Sequence, residues 1–299
     1  MDLFRRKHHE RDPGGAGSAA RQGTAHASPD EDLDWRPYDQ VAETYARLAE
    51  AATGPPGGDL VKLLQVGPGA RVLDVGAGTG VASRAAAAVA GDDGLVIGID
   101  PSLAMLEQGR VEGGGPRYAA ATAIDLPFRD GTFTHLVANF VLSHFTRYDT
   151  ALFDMMRVLR SGGRMGVTAW ARGEDEDDFS TAWRSVAEEF AEHEIIQDAH
   201  DRAVPWEEFF SDPSQLKDAL HDAGLRDIWV EKRDYRVEMN GEDYCADREI
   251  SSAGRFLRQM LGDELWDVFR RRARQVFAER FPERFHDFHQ ALLAVGHKP

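Results

Sequence analysis

The sequence predicts an α/β chain built on a doubly wound, mostly parallel sheet. Three observations carry that prediction. Arg71-Val-Leu-Asp-Val75 reads as a short buried strand that runs through Gly76, Gly78 and Gly80 into an alanine-rich helix, Val81 to Ala90. Leu95-Val-Ile-Gly-Ile99 reads as a second strand with an acid, Asp100, at its carboxyl end. Strand-like and helix-like segments then alternate as far as Trp170, the pattern of parallel strands joined by crossover helices.

A strand, a glycine turn and a helix bring bare backbone N–H groups against a ligand. An acid at the end of the next strand, about twenty residues on, suits the hydroxyls of a ribose. The dinucleotide fingerprint is G-x-G-x-x-G/A, and here Val81 occupies its last small position, so that match fails. A tight strand-to-helix turn with no ligand is the bland alternative.

Composition bounds the rest. The 299 residues suit one large domain or two small ones, and 42% apolar content is enough for a full core. Lys+Arg 35 against Asp+Glu 51 gives a formal charge of −16, which repels phosphate backbones and argues against a nucleic-acid substrate. The one basic cluster, Arg270 to Arg274, lies in a segment of helical apolar period and reads as its wet face. A single cysteine, Cys245, rules out a disulfide within the chain and fits a reducing compartment. No apolar run is long enough to span a bilayer, and Met1 to Glu10 has no signal-peptide core, so a cytoplasmic setting is expected. Nothing in the pattern fixes an oligomeric state.

In chain order, residues 1 to 33 are rich in Gly, Ala, Ser, His and charge and are expected to be a disordered tail, with one domain over 34–299. Trp35 to Ala52 shows a helical apolar period, Gly54-Pro-Pro-Gly-Gly58 reads as a loop, and a short helix follows from Asp59 to Val66. Beyond Asp100 and Pro101, Ser102 is a good N-cap for a helix over Leu103 to Val111. Arg117 to Ala121 and Phe133 to Phe140 read as the third and fourth strands. Asp149 to Arg160 is an amphipathic helix that Ser161-Gly-Gly163 should stop, and Arg164 to Trp170 is the fifth strand.

The remainder reads as accessory. Glu174 to Asp178 is a solvated acidic loop, and Phe179 to Ile196 is a helix. Asp212-Pro213 supplies an N-cap and an N1 proline for a helix to Ala223. Leu225 to Val237 is a long strand, two helices run from Gly241 to about Arg280, and Ala291 to Val295 is a final strand.

The stretch Val72-Leu-Asp-Val-Gly-Ala-Gly-Thr-Gly80 resembles motif I of the class I S-adenosylmethionine-dependent methyltransferases, of the ubiquinone/menaquinone-biosynthesis type. Three further stretches are similar to that family: Tyr38-Asp-Gln-Val-Ala-Glu-Thr-Tyr45, Asp125-Leu-Pro-Phe128 with its flanks, and Arg157-Val-Leu-Arg-Ser-Gly-Gly-Arg164. The resemblance runs from about Trp35 to Trp170. It implies a Rossmann-like, seven-stranded sheet whose last strand is antiparallel, with helical cap insertions at about 179–222 and 242–288. It also implies S-adenosylmethionine as cofactor and a small-molecule methyl acceptor.

For the cofactor, the resemblance implies Tyr38, Asp74, Gly76, Ala77, Gly78, Thr79, Gly80, Asp100, Pro101, Ser102 and Met105. Thr122, Ala123 and Ile124 would border the adenine, and Asn139 and Phe140 the methionine side. Thr122 and Thr134 replace family aspartates, which implies weaker adenine selection. Asn139-Phe-Val-Leu142 lacks the Pro-Pro of enzymes that methylate nucleobase amines.

An oxygen acceptor would need its proton removed, and His144 is the candidate base by position and by its near-neutral resting pKa. Structural packing is the plainer role for it. No Cys or His cluster suggests a metal, and a lone cysteine excludes multi-thiol arsenic chemistry. Trp170, Trp183, Trp206, Phe209, Phe210 and Phe256 suggest an aromatic or hydrophobic acceptor. Two rival readings are a non-catalytic S-adenosylmethionine-binding module and an NAD(P)-dependent oxidoreductase.

Overall fold

The computed structural model describes residues 36–173 and 177–299; the expected tail and most of the acidic loop lie outside the described residues. A 3-10 turn, Arg36–Gln40, leads into α1, Ala42–Leu63. The first half then alternates: β1 Arg71–Val75, α2 Val81–Ala90, β2 Leu95–Asp100, α3 Leu103–Glu112, β3 Arg117–Ala120, β4 Phe133–Asn139, α4 Tyr148–Val158 and β5 Leu159–Trp170. The second half holds α5 Asp178–Glu188, α6 His193–Ala203, α7 Glu207–Phe210, α8 Pro213–Asp222, β6 Arg226–Met239, α9 Gly241–Ile250, α10 Ser252–Arg280 and β7 Phe285–His297.

The seven strands form one sheet in the order β3-β2-β1-β4-β5-β7-β6. β1 to β5 pair in parallel, and β7 runs antiparallel to both β5 and β6. Alternate strand residues feed opposite faces. Val72, Val96, Val137 and Leu293 pack with Leu60, Ala82 and Ala86 of α1 and α2. Leu73, Ile99, Leu136 and Leu292 pack with Leu152, Met155, Leu216 and Leu220 of α4 and α8. This is the doubly wound sheet with an antiparallel strand that the sequence predicts. A third apolar cluster, with Tyr244, Trp266, Phe269 and Phe277, is the core of the accessory helices.

Four expectations need correction. Gly54 to Gly58 is not a loop: α1 is one continuous helix through Pro55 and Pro56. The prolines withhold two backbone donors, but Leu48, Pro56, Leu60 and Val61 are buried along one face, and that packing outweighs local propensity. α4 ends at Val158, and Ser161-Gly-Gly163 belongs to β5. There Gly162 takes a φ of 72° and its N–H bonds Lys298 O at 2.8 Å. The expected helix over 179–196 is two helices, α5 and α6. The final strand begins at Phe285, so residues 285–288 belong to the sheet and not to an insertion. Its polar first half, with His286, Asp287, His289 and Gln290, hid it from an apolar-run criterion.

Candidate cofactor and acceptor site

The glycine turn follows β1 and is fastened to the end of β2. Ala77 N donates to Ile99 O at 2.8 Å, and Gly78 N donates to Asp100 Oδ2 at 2.9 Å. Asp100 Oδ1 accepts from Ser102 N at 2.9 Å. One carboxylate therefore holds the turn and the start of α3 together, and each of its oxygens keeps capacity for a further hydroxyl. Burial pushes the Asp100 carboxyl up to about 6, with Asp39 adding to the rise and the Ser102 and Gly78 amides opposing it.

Gly76, Gly78 and Gly80 have φ of 69°, 54° and 87°, in the left-handed region that only glycine adopts freely. They serve different neighbours. A Cβ on Gly76 would collide with Val141, and one on Gly80 with the Tyr118 hydroxyl. A Cβ on Gly78 would meet only Met105 Cε, at 3.4 Å. Two glycines thus admit protein side chains, and the open face of the turn lies over Gly78.

Beneath the turn, Asp74 is 1% exposed. Ser83 Oγ donates to its Oδ2 at 2.6 Å, while Oδ1 has no partner among the described residues. Burial pushes the Asp74 carboxyl up to about 7, the Asp100 charge adds to the rise and the Ser83 bond opposes it. The Thr79 hydroxyl and the Tyr118 hydroxyl are likewise buried without a partner among the described residues. Orphaned buried polar atoms are costly, and three of them clustered at one turn leave room for a water or a ligand group to satisfy them. An ammonium beside Asp74 and hydroxyls beside Asp100 would complete both carboxylates, so the residues present fit an amino-acid nucleoside.

Ser102 is almost fully buried, accepts from Met105 N at 3.2 Å as the N-cap of α3, and donates its hydroxyl hydrogen to Asp39 Oδ1. Asp39 also accepts from Ala104 N at 3.3 Å. Met105 is buried beside Gly78. Pro101 is half-buried between Asp100 and Ser102. Thr122 donates its hydroxyl hydrogen to Ile124 O at 2.9 Å, which folds the loop on itself next to the half-buried Ile124 and the buried Ala123.

At the carboxyl end of β4, Asn139 joins three elements. Its Nδ2 donates to Thr53 O of α1 at 3.2 Å, and its Oδ1 accepts from Thr168 Oγ1 of β5 at 2.8 Å. Phe140 follows with a φ of 54°, rare for an aromatic residue and a strained backbone position. Its ring stacks on Trp170 with centroids 3.9 Å apart. The Tyr38 ring meets His144 edge-on at 6.1 Å. Burial, with the Arg255 charge nearby, pushes His144 down to about 4, so its imidazole is neutral near pH 7.

The expected aromatic lining separates. Trp170 stands at the site. Trp206 and Phe209 surround Tyr148 and line an open cleft of about 890 Å³ with Ala171 and Lys232, beside the end of β5. Trp183 packs on Phe269 in the accessory core, and Phe210 is fully buried in the main core. Both are structural. Phe256 is half-buried on α10. Asp39, Tyr118, Val141, Thr168 and Arg255 escaped the sequence reading. Only Asp39, next to Tyr38, carried a signal that could have found it.

The sequence profile described as "Methyltransferase domain" matches residues 73–167, from β1 to β5 and across the whole turn. The chain belongs with the class I S-adenosylmethionine-dependent methyltransferases. It is 32% identical over 180 residues to the demethylmenaquinone methyltransferase of Parafrankia sp., covering 52% of this chain and 66% of that one. It is 39% identical over 118 residues to the ubiquinone/menaquinone biosynthesis C-methyltransferase UbiE of Teredinibacter turnerae, covering 38% and 47%. The match therefore spans about half to two thirds of these curated relatives.

In fold it is similar to the YcgJ protein of Bacillus subtilis, at TM-score 0.51 and 19% identity over 82% of this chain and 98% of that one. It is also similar to a Haemonchus contortus phosphoethanolamine N-methyltransferase 2 solved with phosphomonomethylethanolamine and S-adenosylhomocysteine. That likeness has a TM-score of 0.54 and 17% identity over 91% and 60% of the two chains. The family's cofactor is S-adenosylmethionine, and the family assignment replaces the nicotinamide alternative.

Proposed function

We propose that the chain transfers a methyl group from S-adenosylmethionine to a small aromatic or hydrophobic acceptor by in-line displacement. The observation that carries this reading is the pair of carboxylates at the glycine turn, buried Asp74 with an orphaned oxygen and half-buried Asp100 bonded to Gly78 N. When bound, the cofactor supplies the activated methyl group and its leaving group. The protein then has to hold, orient and exclude water, which can supply about 7–11 kcal/mol of the barrier.

Each role falls to a residue placed above. Asp74 Oδ1 takes the ammonium, and Asp100 takes the ribose hydroxyls through its remaining lone pairs. Ala123, Ile124 and the remaining acceptor capacity of Thr122 border the adenine, and Met105 closes that side. Asn139 fixes the ends of α1, β4 and β5 in register, and the stacked Phe140 and Trp170 keep water from the methionine side. His144 is a neutral packing and hydrogen-bonding group, because an imidazole whose conjugate acid has a pKa of about 4 is a weak base.

The relatives' names, demethylmenaquinone and ubiquinone/menaquinone biosynthesis, support a ring-bearing acceptor. The lone buried Cys245, whose thiol burial pushes up to about 12, supports a reducing, cytoplasmic setting. A non-catalytic module draws support from Thr122, whose hydroxyl hydrogen is used within its own loop. Radiolabelled S-adenosylmethionine incubated with a panel of quinols, phenols and aromatic acids separates the two. Label in any acceptor is the expected result, and none across the panel with cofactor binding intact favours the module.

A further inference from the structure

Arg255 is a half-buried cation that no carboxylate reaches among the described residues. Most arginines around it on α10 are matched: Arg258 lies 3.2 Å from Asp263, Arg270 lies 2.9 Å from Glu249, Arg272 lies 2.9 Å from Glu189, and Arg274 joins both Glu242 and Glu249, while Arg271 and Arg280 are exposed. Arg248 lies 3.0 Å from Asp247. In a chain with 51 acids, a part-buried arginine without one is conspicuous. Its guanidinium rests over the Tyr38 ring, 3.8 Å from the centroid, and donates only to Ile250 O and to Ser252 Oγ. The remaining N–H groups of its five donors have no protein acceptor among the described residues.

Its position gives that spare charge a meaning. Tyr38 meets His144, and His144 follows Phe140 where the chain leaves the carboxyl end of β4. Arg255 therefore reaches, through the Tyr38 ring, the segment just past the carboxyl end of β4, outside which a methyl acceptor would lie. In the proposed reaction a sulfonium would also lie outside the β4 strand end, and two nearby cations repel. A bound anion relieves both. The surface as a whole, at −16, repels acidic molecules, so an acidic acceptor needs a local cation to hold it. A planar guanidinium with spare N–H groups matches the planar fork of a carboxylate. The Tyr38 face and the neutral His144 ring match a planar aromatic body.

We propose that Arg255 selects an aromatic carboxylate as the methyl acceptor, pairing with its carboxylate while Tyr38 and His144 hold its ring. This rests on the methyltransferase reading above. The test is calorimetric titration of the protein loaded with S-adenosylhomocysteine, using 2,5-dihydroxybenzoate and its neutral amide, on wild type, Arg255→Met and Arg255→Lys.

The expected result is at least about tenfold tighter binding of the acid than of the amide by wild type. Arg255→Met should reduce the acid to the level of the amide, Arg255→Lys should restore part of the preference, and S-adenosylhomocysteine affinity should stay unchanged in all three. Thermal melts of each variant verify folding. Equal binding of acid and amide by wild type, or no binding of the acid, overturns the proposal. So does a loss of S-adenosylhomocysteine affinity in Arg255→Met, which would assign the arginine to the cofactor's own carboxylate. Failure of wild type to bind S-adenosylhomocysteine would instead sink the methyltransferase reading beneath it.

Discussion

Ser102 donates its hydroxyl hydrogen to Asp39, 63 residues earlier in the chain, and so ties the N-terminal turn across the start of α3. Asp39 takes Ala104 N as well. The tie lies beside Asp100, where ribose hydroxyls would bind, and holds the neighbouring Tyr38 ring against His144. Asp39→Ala should weaken S-adenosylhomocysteine binding about three- to tenfold and lower stability by about 0.5–1.5 kcal/mol, the net range for a hydrogen bond, since Asp39 is exposed. Calorimetry and denaturant titration read the two effects. Unchanged affinity would show that the tie is structural only.

Asp74 makes binding depend on pH. Its carboxyl is raised to about 7 by burial, so near neutrality the cofactor-free protein is partly protonated there. A bound ammonium favours the ionised form, so binding should release that proton and tighten as pH rises through about 7, by up to about tenfold per unit below it. Calorimetry in buffers of different ionisation enthalpy measures the release, and Asp74→Asn should abolish it. The same raised pKa means that the folded state binds more protons than the unfolded one. The cofactor-free protein should therefore lose stability as pH climbs from about 4 through about 7, and Asp74→Asn should flatten that slope.

Gly76→Ala should destabilise the protein by about 1–3 kcal/mol, from a strained φ and from overlap with Val141. Val141→Ala removes the overlap with its Cγ atoms but leaves its Cβ, 2.9 Å away, and the strain. In a double-mutant cycle Val141→Ala should recover part of the Gly76→Ala loss, and strict additivity would show that Val141 is not the obstacle.

Asn139→Leu should cost about 1–3 kcal/mol, since Thr53 O loses a donor and Thr168 Oγ1 loses its acceptor near the ends of three elements. Cofactor affinity should fall with it, because Phe140 follows directly and its N–H is held by Thr168. Urea melts and S-adenosylhomocysteine titrations on the same preparations separate the two losses.

The glycine turn, Asp74 and Asp100 were legible because each answers to local chemistry: a left-handed backbone, a strand end, an acid at a fixed distance. The parallel half of the sheet was legible for the same reason, since apolar strands and amphipathic helices alternate there. The continuity of α1 was not. Local rules break a helix at Gly-Pro-Pro-Gly, and only contacts with residues far along the chain, such as Asn139 against Gly57, show why it holds. The start of β7 was hidden by its polar residues, which pair with β6 from Met239↔Phe285 onward. Arg255 could not have been found from sequence, because an unpaired arginine is a property of what surrounds it in space.

The central claim is that Asp100 and the turn hold a nucleoside of the S-adenosylmethionine type. Calorimetric titration of wild type and Asp100→Ala with S-adenosylhomocysteine tests it most directly. The account predicts micromolar-range binding by wild type and at least about a tenfold loss in Asp100→Ala, the scale of one hydrogen bond to a charged group. No binding by wild type, or equal binding by the variant, would contradict it.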